Sequence, residues 1–211
     1  RNPVALARGE GGLMYVVSRS YEYRPDGKRV TICTVDEEYV GEFARGVTTA
    51  GDPSIVASAG SLIWPTALAL DSSQNVYVAD EWLNRISIFN KDGEWLDKWG
   101  TPGRGDGEID RPSGLVFDGD DNLLLVDSVN SRILKFTKDG TFLGKWGSEG
   151  SREGQFKLPW GIAIDSGQNV YVADWRNDRV QKFTNDGQFL MSLGHSGNED
   201  EQLNRPTGVP P

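Results

Sequence analysis

The sequence predicts an all-β fold of stacked four-stranded sheets, and three observations carry that prediction. The first is a repeat. Pro65, Pro112, Pro159 and Pro206 stand 47 residues apart. The same step joins Asp71, Asp118 and Asp165, then Asp80, Asp127 and Asp174, then Arg85, Arg132 and Arg179, then Gly93, Gly140 and Gly187. Self-similarity at a fixed period of this size means stacked supersecondary units. The second is the content of each unit: runs of about four to six apolar residues with period-2 alternation, rich in Val, Ile, Tyr and Phe, separated by turn residues. Asp-Gly, the strongest short hairpin signal, recurs at 92–93, 139–140 and 186–187. The third is the second run of each unit, NVYVAD from Asn75, LLLVD from Leu123 and NVYVAD from Asn169, which is apolar on both faces. Sheets packed face to face bury both sides of such strands, at roughly 25 cal/mol per Å² of apolar area.

A repeat of about 40–50 residues with four strands reads as one propeller blade. Taken in order, the first unit (3–46) is degenerate: Pro3-Val4-Ala5-Leu6-Ala7 opens it, and Ser18 stands where later units have Asp. Its second and third strands are separated by an insertion carrying Tyr21, Tyr23 and Arg24, and such insertions fall in loops on one face. A Gly-, Ser- and Ala-containing connector leads to the units at 65–100, 112–147 and 159–194, joined by polar connectors of equal length. Residues 206–211 read as the start of a further first strand. Three arrangements fit that pattern: part of a six-bladed protein, a closed four-bladed ring, or an open arc completed by another copy. In the last of these, self-association runs through exposed blade faces.

The motif order of proline, small-apolar strand, VYVAD, Asn-Arg-apolar-x-apolar-Phe, Asp-Gly and Trp-Gly resembles the NHL repeat. It runs through 65–100 and through 159–194, where Asp178-Arg179 and Leu193-Gly194 stand for Asn-Arg and Trp-Gly, and at 112–147 it carries the variants Ser113-Gly114-Leu115 and Val126-Asp127. The resemblance covers about two thirds of the chain. It implies a β-propeller, usually of six blades, and a range of functions: interaction platforms for protein, glycan or other ligands, RNA binders with a basic face, and lyases or lactone hydrolases with a metal in the central channel. The amidating-lyase branch uses His ligands to zinc; the lactonase branch uses carboxylate and Asn ligands to a calcium-type ion.

Composition narrows these. The 211 residues carry a net charge of −9 and a pI near 4.7, which repels a phosphate backbone and weighs against nucleic acid as a partner. No unbroken apolar run is long enough to cross a bilayer. His195 is the sole histidine and Cys33 the sole cysteine, so three-His zinc sites and Cys/His clusters are excluded. There is no G-x-S-x-G elbow, Walker loop or dinucleotide fingerprint. Asp118-Gly119-Asp120-Asp121-Asn122 has the alternating oxygens of a calcium loop, but Val129 occupies the place of the closing glutamate. A plain turn is the expectation, no cofactor is predicted, and calcium is the one weakly supported ion. A chain that begins at Arg1 leaves room for a removed leader, and both a cytoplasmic and a secreted location fit the cysteine usage.

Strand alternation places the second-to-third and fourth-to-first loops at one end of each blade. That rim carries Trp64, Trp82, Trp160, Trp175 and Arg176, and aromatic and arginine residues are the usual anchors of binding surfaces. These five, with Tyr21 and Tyr23 in the insertion, are the candidate ligand contacts, Trp64 and Trp160 being also suited to filling the joints between blades. The pairs Asp80–Arg85, Asp127–Arg132 and Asp174–Arg179 recur in every complete blade. Catalysis needs a unique constellation rather than a periodic one, so they are expected to tie strands across the loop, and no catalytic residue or metal ligand is assigned. The function expected is a non-catalytic ligand- or protein-binding propeller; the alternative is a metal-dependent, lactonase-like hydrolase or lyase.

Overall fold

The computed structural model describes residues 2–20, 27–46, 60–200 and 202–209. Tyr21, Tyr23 and Arg24 lie outside them. The chain divides into two compact units, Arg1–Gly100 and Thr101–Pro211, each holding two four-stranded antiparallel sheets in up-and-down order.

In the first unit, β1 (Asn2–Arg8), β2 (Leu13–Arg19), β3 (Arg29–Thr34) and β4 (Tyr39–Phe43) form one blade. The next comprises β5 (Pro65–Leu70), β6 (Val76–Asp80), β7 (Arg85–Phe89) and β8 (Trp95–Trp99). The two blades share a core of Tyr15, Val17, Val30, Ile32, Phe43, Leu62, Leu68, Val76, Val78 and Phe89. All five residues of β6 are buried, as a strand with two apolar faces requires.

In the second unit, two short strands, β9 (Thr101–Pro102) and β10 (Glu108–Ile109), pair in parallel and fold the connector back on itself. Then come β11 (Pro112–Phe117), β12 (Asn122–Asp127), β13 (Arg132–Thr137) and β14 (Phe142–Trp146) in one blade. The other holds β15 (Pro159–Ile164), β16 (Val170–Asp174), β17 (Arg179–Phe183) and β18 (Phe189–Leu193). Leu124, Val126, Ile133, Phe156, Val170, Val172 and Phe183 form the core between them.

Two kinds of glycine let the blades approach. Gly114 on β11 lies where an added Cβ would be 2.7 Å from the Trp160 carbonyl oxygen. One repeat on, Gly161 would meet the Thr207 carbonyl oxygen at 2.6 Å. Residues 206–209 form no strand of their own, yet Thr207 lies against β15 as Trp160 lies against β11. The hairpin glycines are held twice over. Gly187 has φ +88°, and its added Cβ would fall 2.7 Å from the Trp146 ring of the preceding blade; Gly93, φ +89°, stands in the same relation to Phe43. The Asp-Gly turn is therefore also a seat for the neighbour's aromatic side chain.

Gly187→Ala should lower the unfolding free energy by about 2–4 kcal/mol, combining left-handed strain with overpacking. Urea unfolding of the variant checks this, and a loss under about 0.5 kcal/mol would mean that Trp146 moves aside freely.

Candidate functional site

Backbone bonds bring the two loops of the rim together in each blade. The second-to-third loop donates to the fourth-to-first connector through Glu81 N to Trp64 O (2.9 Å), Val129 N to Asp110 O (3.3 Å) and Arg176 N to Lys157 O (3.1 Å). The side chains holding this junction are the repeated acids and arginines. Asp127, fully buried at the end of β12, accepts from the Asp110 N–H (2.7 Å), from Asn130 Nδ2 (2.9 Å) and from Arg132 Nε (2.7 Å). The Arg132 guanidinium then donates to the carbonyl oxygens of Arg104, Gly105 and Glu108 in the connector. Asp174 repeats the pattern with Lys157 N (2.7 Å), Asn177 Nδ2 (2.8 Å) and Arg179 Nε (2.8 Å), and Arg179 donates to the Arg152 and Gln155 carbonyls. Burial pushes the Asp127 carboxyl up from its ordinary range, while its hydrogen bonds and the arginine draw it back.

The blade of β5–β8 departs from this pattern. Asp80 spends its oxygens on the backbone N–H groups of Ile63, Trp64, Trp82 and Leu83. Arg85 donates through Nη2 to the Ser61 carbonyl (2.8 Å), and its Nε has no hydrogen-bond partner. The connector into this blade differs in length and sequence from the later ones, so the arginine meets it differently. Burial again raises the Asp80 carboxyl.

The connectors are further closed by a side-chain clasp that no spacing argument anticipated. Glu108 accepts from Gly105 N (2.7 Å), Gln155 from Arg152 N (3.2 Å) and Gln202 from Glu199 N (2.9 Å). Gly103, Gly150 and Gly197 leave room for those side chains at φ +152°, +153° and +155°. Both triplets are visible in the sequence as 47-residue steps, so the signal was present without its meaning.

Upon this scaffold the aromatic and arginine candidates are set out unit by unit. In Arg1–Gly100, Trp64 is covered by the Arg19 guanidinium, 5.2 Å from the ring centroid, which places it in the joint between its blade and the first. Trp82 stands in the loop with 63% of its surface exposed. In Thr101–Pro211, Trp160 holds the inter-blade joint through its carbonyl, which accepts from Ser113 Oγ at 2.9 Å. Trp175 is half-buried, with the exposed Arg176 and Arg205 guanidiniums each 5.3 Å from its ring centroid. Arg205 was not anticipated: it lies 30 residues from Trp175 in the sequence, and nothing in the spacing points its side chain at the indole.

The acidic turn at Asp118 is a carboxylate clasp. Asp118 accepts from the N–H groups of Asp120 and Asn122, from Asn185 Nδ2 (3.0 Å) and from Lys135 Nζ (2.7 Å). Burial opposes ionisation there, but these donors together hold the carboxyl below its ordinary range. Asp165, one repeat on, is held down by the Asn169 side chain and N–H, Tyr171 and Lys182. Among the described residues no group of three or more His, Cys, Asp or Glu is placed to hold a metal ion. His195 is exposed, its Nε2 lying 3.4 Å from Gln202 Nε2.

Comparison with known proteins agrees with this geometry. The family model described as NHL repeat matches residues 156–183, and one described as 6-bladed beta-propeller matches residues 66–145. No curated protein matches the sequence. Solved structures that resemble it include a catalytically inactive histidine-to-alanine variant of virginiamycin B lyase from Staphylococcus aureus with quinupristin, at 15% identity and TM-score 0.62. That match covers 91% of this chain and 55% of the other. The selenomethionine-substituted form of that lyase matches at 16% identity and TM-score 0.62, over 98% of this chain and 58% of the other. A protein of unknown function from Bacteroides caccae matches at 18% identity and TM-score 0.56, over 88% and 58%. The likeness shows the β-propeller fold, and the chain spans little more than half the length of those structures.

Removing the buried carboxylate leaves its arginine uncompensated, so Asp127→Ala should cost about 3–5 kcal/mol of stability in urea unfolding. A cost within about 0.5 kcal/mol, the range of an ordinary surface change, would contradict the role given to the clasp.

Proposed function

We propose that this chain, built of blades of the NHL-repeat β-propeller type, is a non-catalytic platform that binds a protein, glycan or small ligand through the rim of second-to-third and fourth-to-first loops. One observation carries the reading. The rim is constant at the buried aspartates and variable in the two residues that follow them, of which Trp82 and Arg176 are exposed. Asp80, Asp127 and Asp174 recur, whereas the next two residues are Glu81-Trp82, Ser128-Val129 and Trp175-Arg176. Large aromatic and arginine side chains on a rigid base supply contact area at low entropic cost.

The likeness to virginiamycin B lyase favours a second reading, a propeller lyase. In that lyase a single histidine-to-alanine change gives a catalytically inactive protein. The chain spans 55% of that lyase, and its own histidine, His195, is exposed in a connector with Gln202 beside it.

A glycan and peptide array tests the proposal. Wild-type protein should be retained on a distinct set of features, and Trp82→Ala or Trp175→Ala should weaken retention at least about fivefold, as loss of an interface anchor does. Retention on nothing, together with cleavage of quinupristin by the wild-type protein, would replace the binding reading with the lyase.

A further inference from the structure

The environment of Trp175 points to a specific ligand chemistry, which rests on the binding reading of the rim and narrows it. Both guanidiniums of Arg176 and Arg205 lie 5.3 Å from one indole centroid, so their charges are held within twice that distance of each other. That is comparable to the Debye length of about 8 Å at physiological ionic strength, so salt screens their repulsion incompletely.

Among the described residues no carboxylate forms an ion pair with either guanidinium, although the Arg205 charge acts on Asp178 through space and helps hold its carboxyl below the ordinary range. Asp178, the nearest acid by hydrogen bonding, uses Oδ1 to accept the Arg205 backbone N–H (2.8 Å) and Oδ2 to accept Ser196 Oγ (2.8 Å). It fixes the Arg205 backbone, which sits in the left-handed region at φ +50°, and both its oxygens are spent there without a salt bridge to the guanidinium. Glu199 and Asp200, in the same connector, form no ion pair with either arginine. Elsewhere in this unit the opposite holds: Arg132 and Arg179 are paired with buried carboxylates at 2.7 and 2.8 Å.

The combination does not recur along the repeat. The positions of Trp175, Arg176 and Arg205 are held one repeat earlier by Ser128, Val129 and Leu158, and two repeats earlier by Glu81, Trp82 and Arg111. Leu158 and Arg111 have the same left-handed backbone, φ +48° and +57°, so the backbone there is scaffold, and what is particular to this blade is the pairing of Arg176 with Arg205 beside Trp175. Their anchoring is rigid, since Arg176 N donates to Lys157 O and Lys157 N donates to the buried Asp174.

We propose that Arg176 and Arg205, oriented by stacking on Trp175, form an oxyanion site that binds a ligand through a carboxylate or phosphate group. The fork of a guanidinium offers parallel N–H donors matched to the two oxygens of such a group, and a second guanidinium at the same indole adds its charge. The indole orders them in advance, and the overall charge of −9 makes the site the local exception on an acidic protein.

Calorimetric titration with phenyl phosphate and with benzoate, at low salt, tests the site and separates its two possible sources. At least one should bind saturably with a Kd of about 1 mM or tighter. The tighter of the two names the oxyanion. Arg176→Gln and Arg205→Gln should each weaken it at least about tenfold, while Lys98→Gln, which removes one positive charge from β8, should leave it unchanged. Three results would overturn the proposal: no saturation by either compound up to about 10 mM, binding indifferent to both arginine substitutions, or binding that needs only one of them. A rim that ignores both anions yet still loses array retention on Trp82→Ala would remove the oxyanion site and leave the binding reading standing.

Discussion

The rim depends on one buried carboxylate per complete blade. Asp80, Asp127 and Asp174 end the second strands with no exposed surface, and each must satisfy its oxygens within the protein. They do so with N–H groups of the incoming connector and of the adjoining loop, which fastens the connector to the blade it enters. Where the arginine joins, as at Asp127 and Asp174, the same unit also takes up the connector's carbonyl oxygens. A polar group that would be costly if left alone thereby sets the position of the rim loops in the three complete blades.

Packing between blades obeys the same logic of close approach. Gly114 and Gly161 admit the backbone of the following first strand, and Gly93 and Gly187 admit the aromatic residue that ends the preceding fourth strand. The apolar cores then close over Phe89 in one unit and Phe156 and Phe183 in the other. Other residues escape this periodicity. Trp82 projects into solvent, and Trp175 gathers two arginines that no blade-to-blade rule requires.

Much of this was legible in the chain. Alternating Val and Tyr, Asp-Gly turns and a 47-residue step together specify four-stranded blades, because each constrains a different level of structure and all agree. The repeated aspartates and arginines could be read as scaffold from their periodicity alone. What the arginines reach could not, because the carbonyl oxygens of residues 104, 105 and 108 bear no side-chain signature. The divergence at Arg85 follows from a connector whose length differs from the later ones. Trp64 and Trp160 proved to sit at joints within their units, whereas the partnership of Trp175 with Arg205 depends on a connector folded back by a parallel bridge between Ser196 and Leu203. Tyr21 and Tyr23 fall outside the described residues.

Amide hydrogen exchange at Asp110 and Lys157 tests the central role of the buried carboxylates most directly. Both residues lie in polar connectors, and their N–H groups each donate to a buried aspartate at 2.7 Å. The account predicts that they exchange as slowly as the core strand amides of β12 and β16, opening only when the blade does. Exchange at the rate of an exposed loop would show that the connectors are not fastened there, and the rim would lose its fixed geometry.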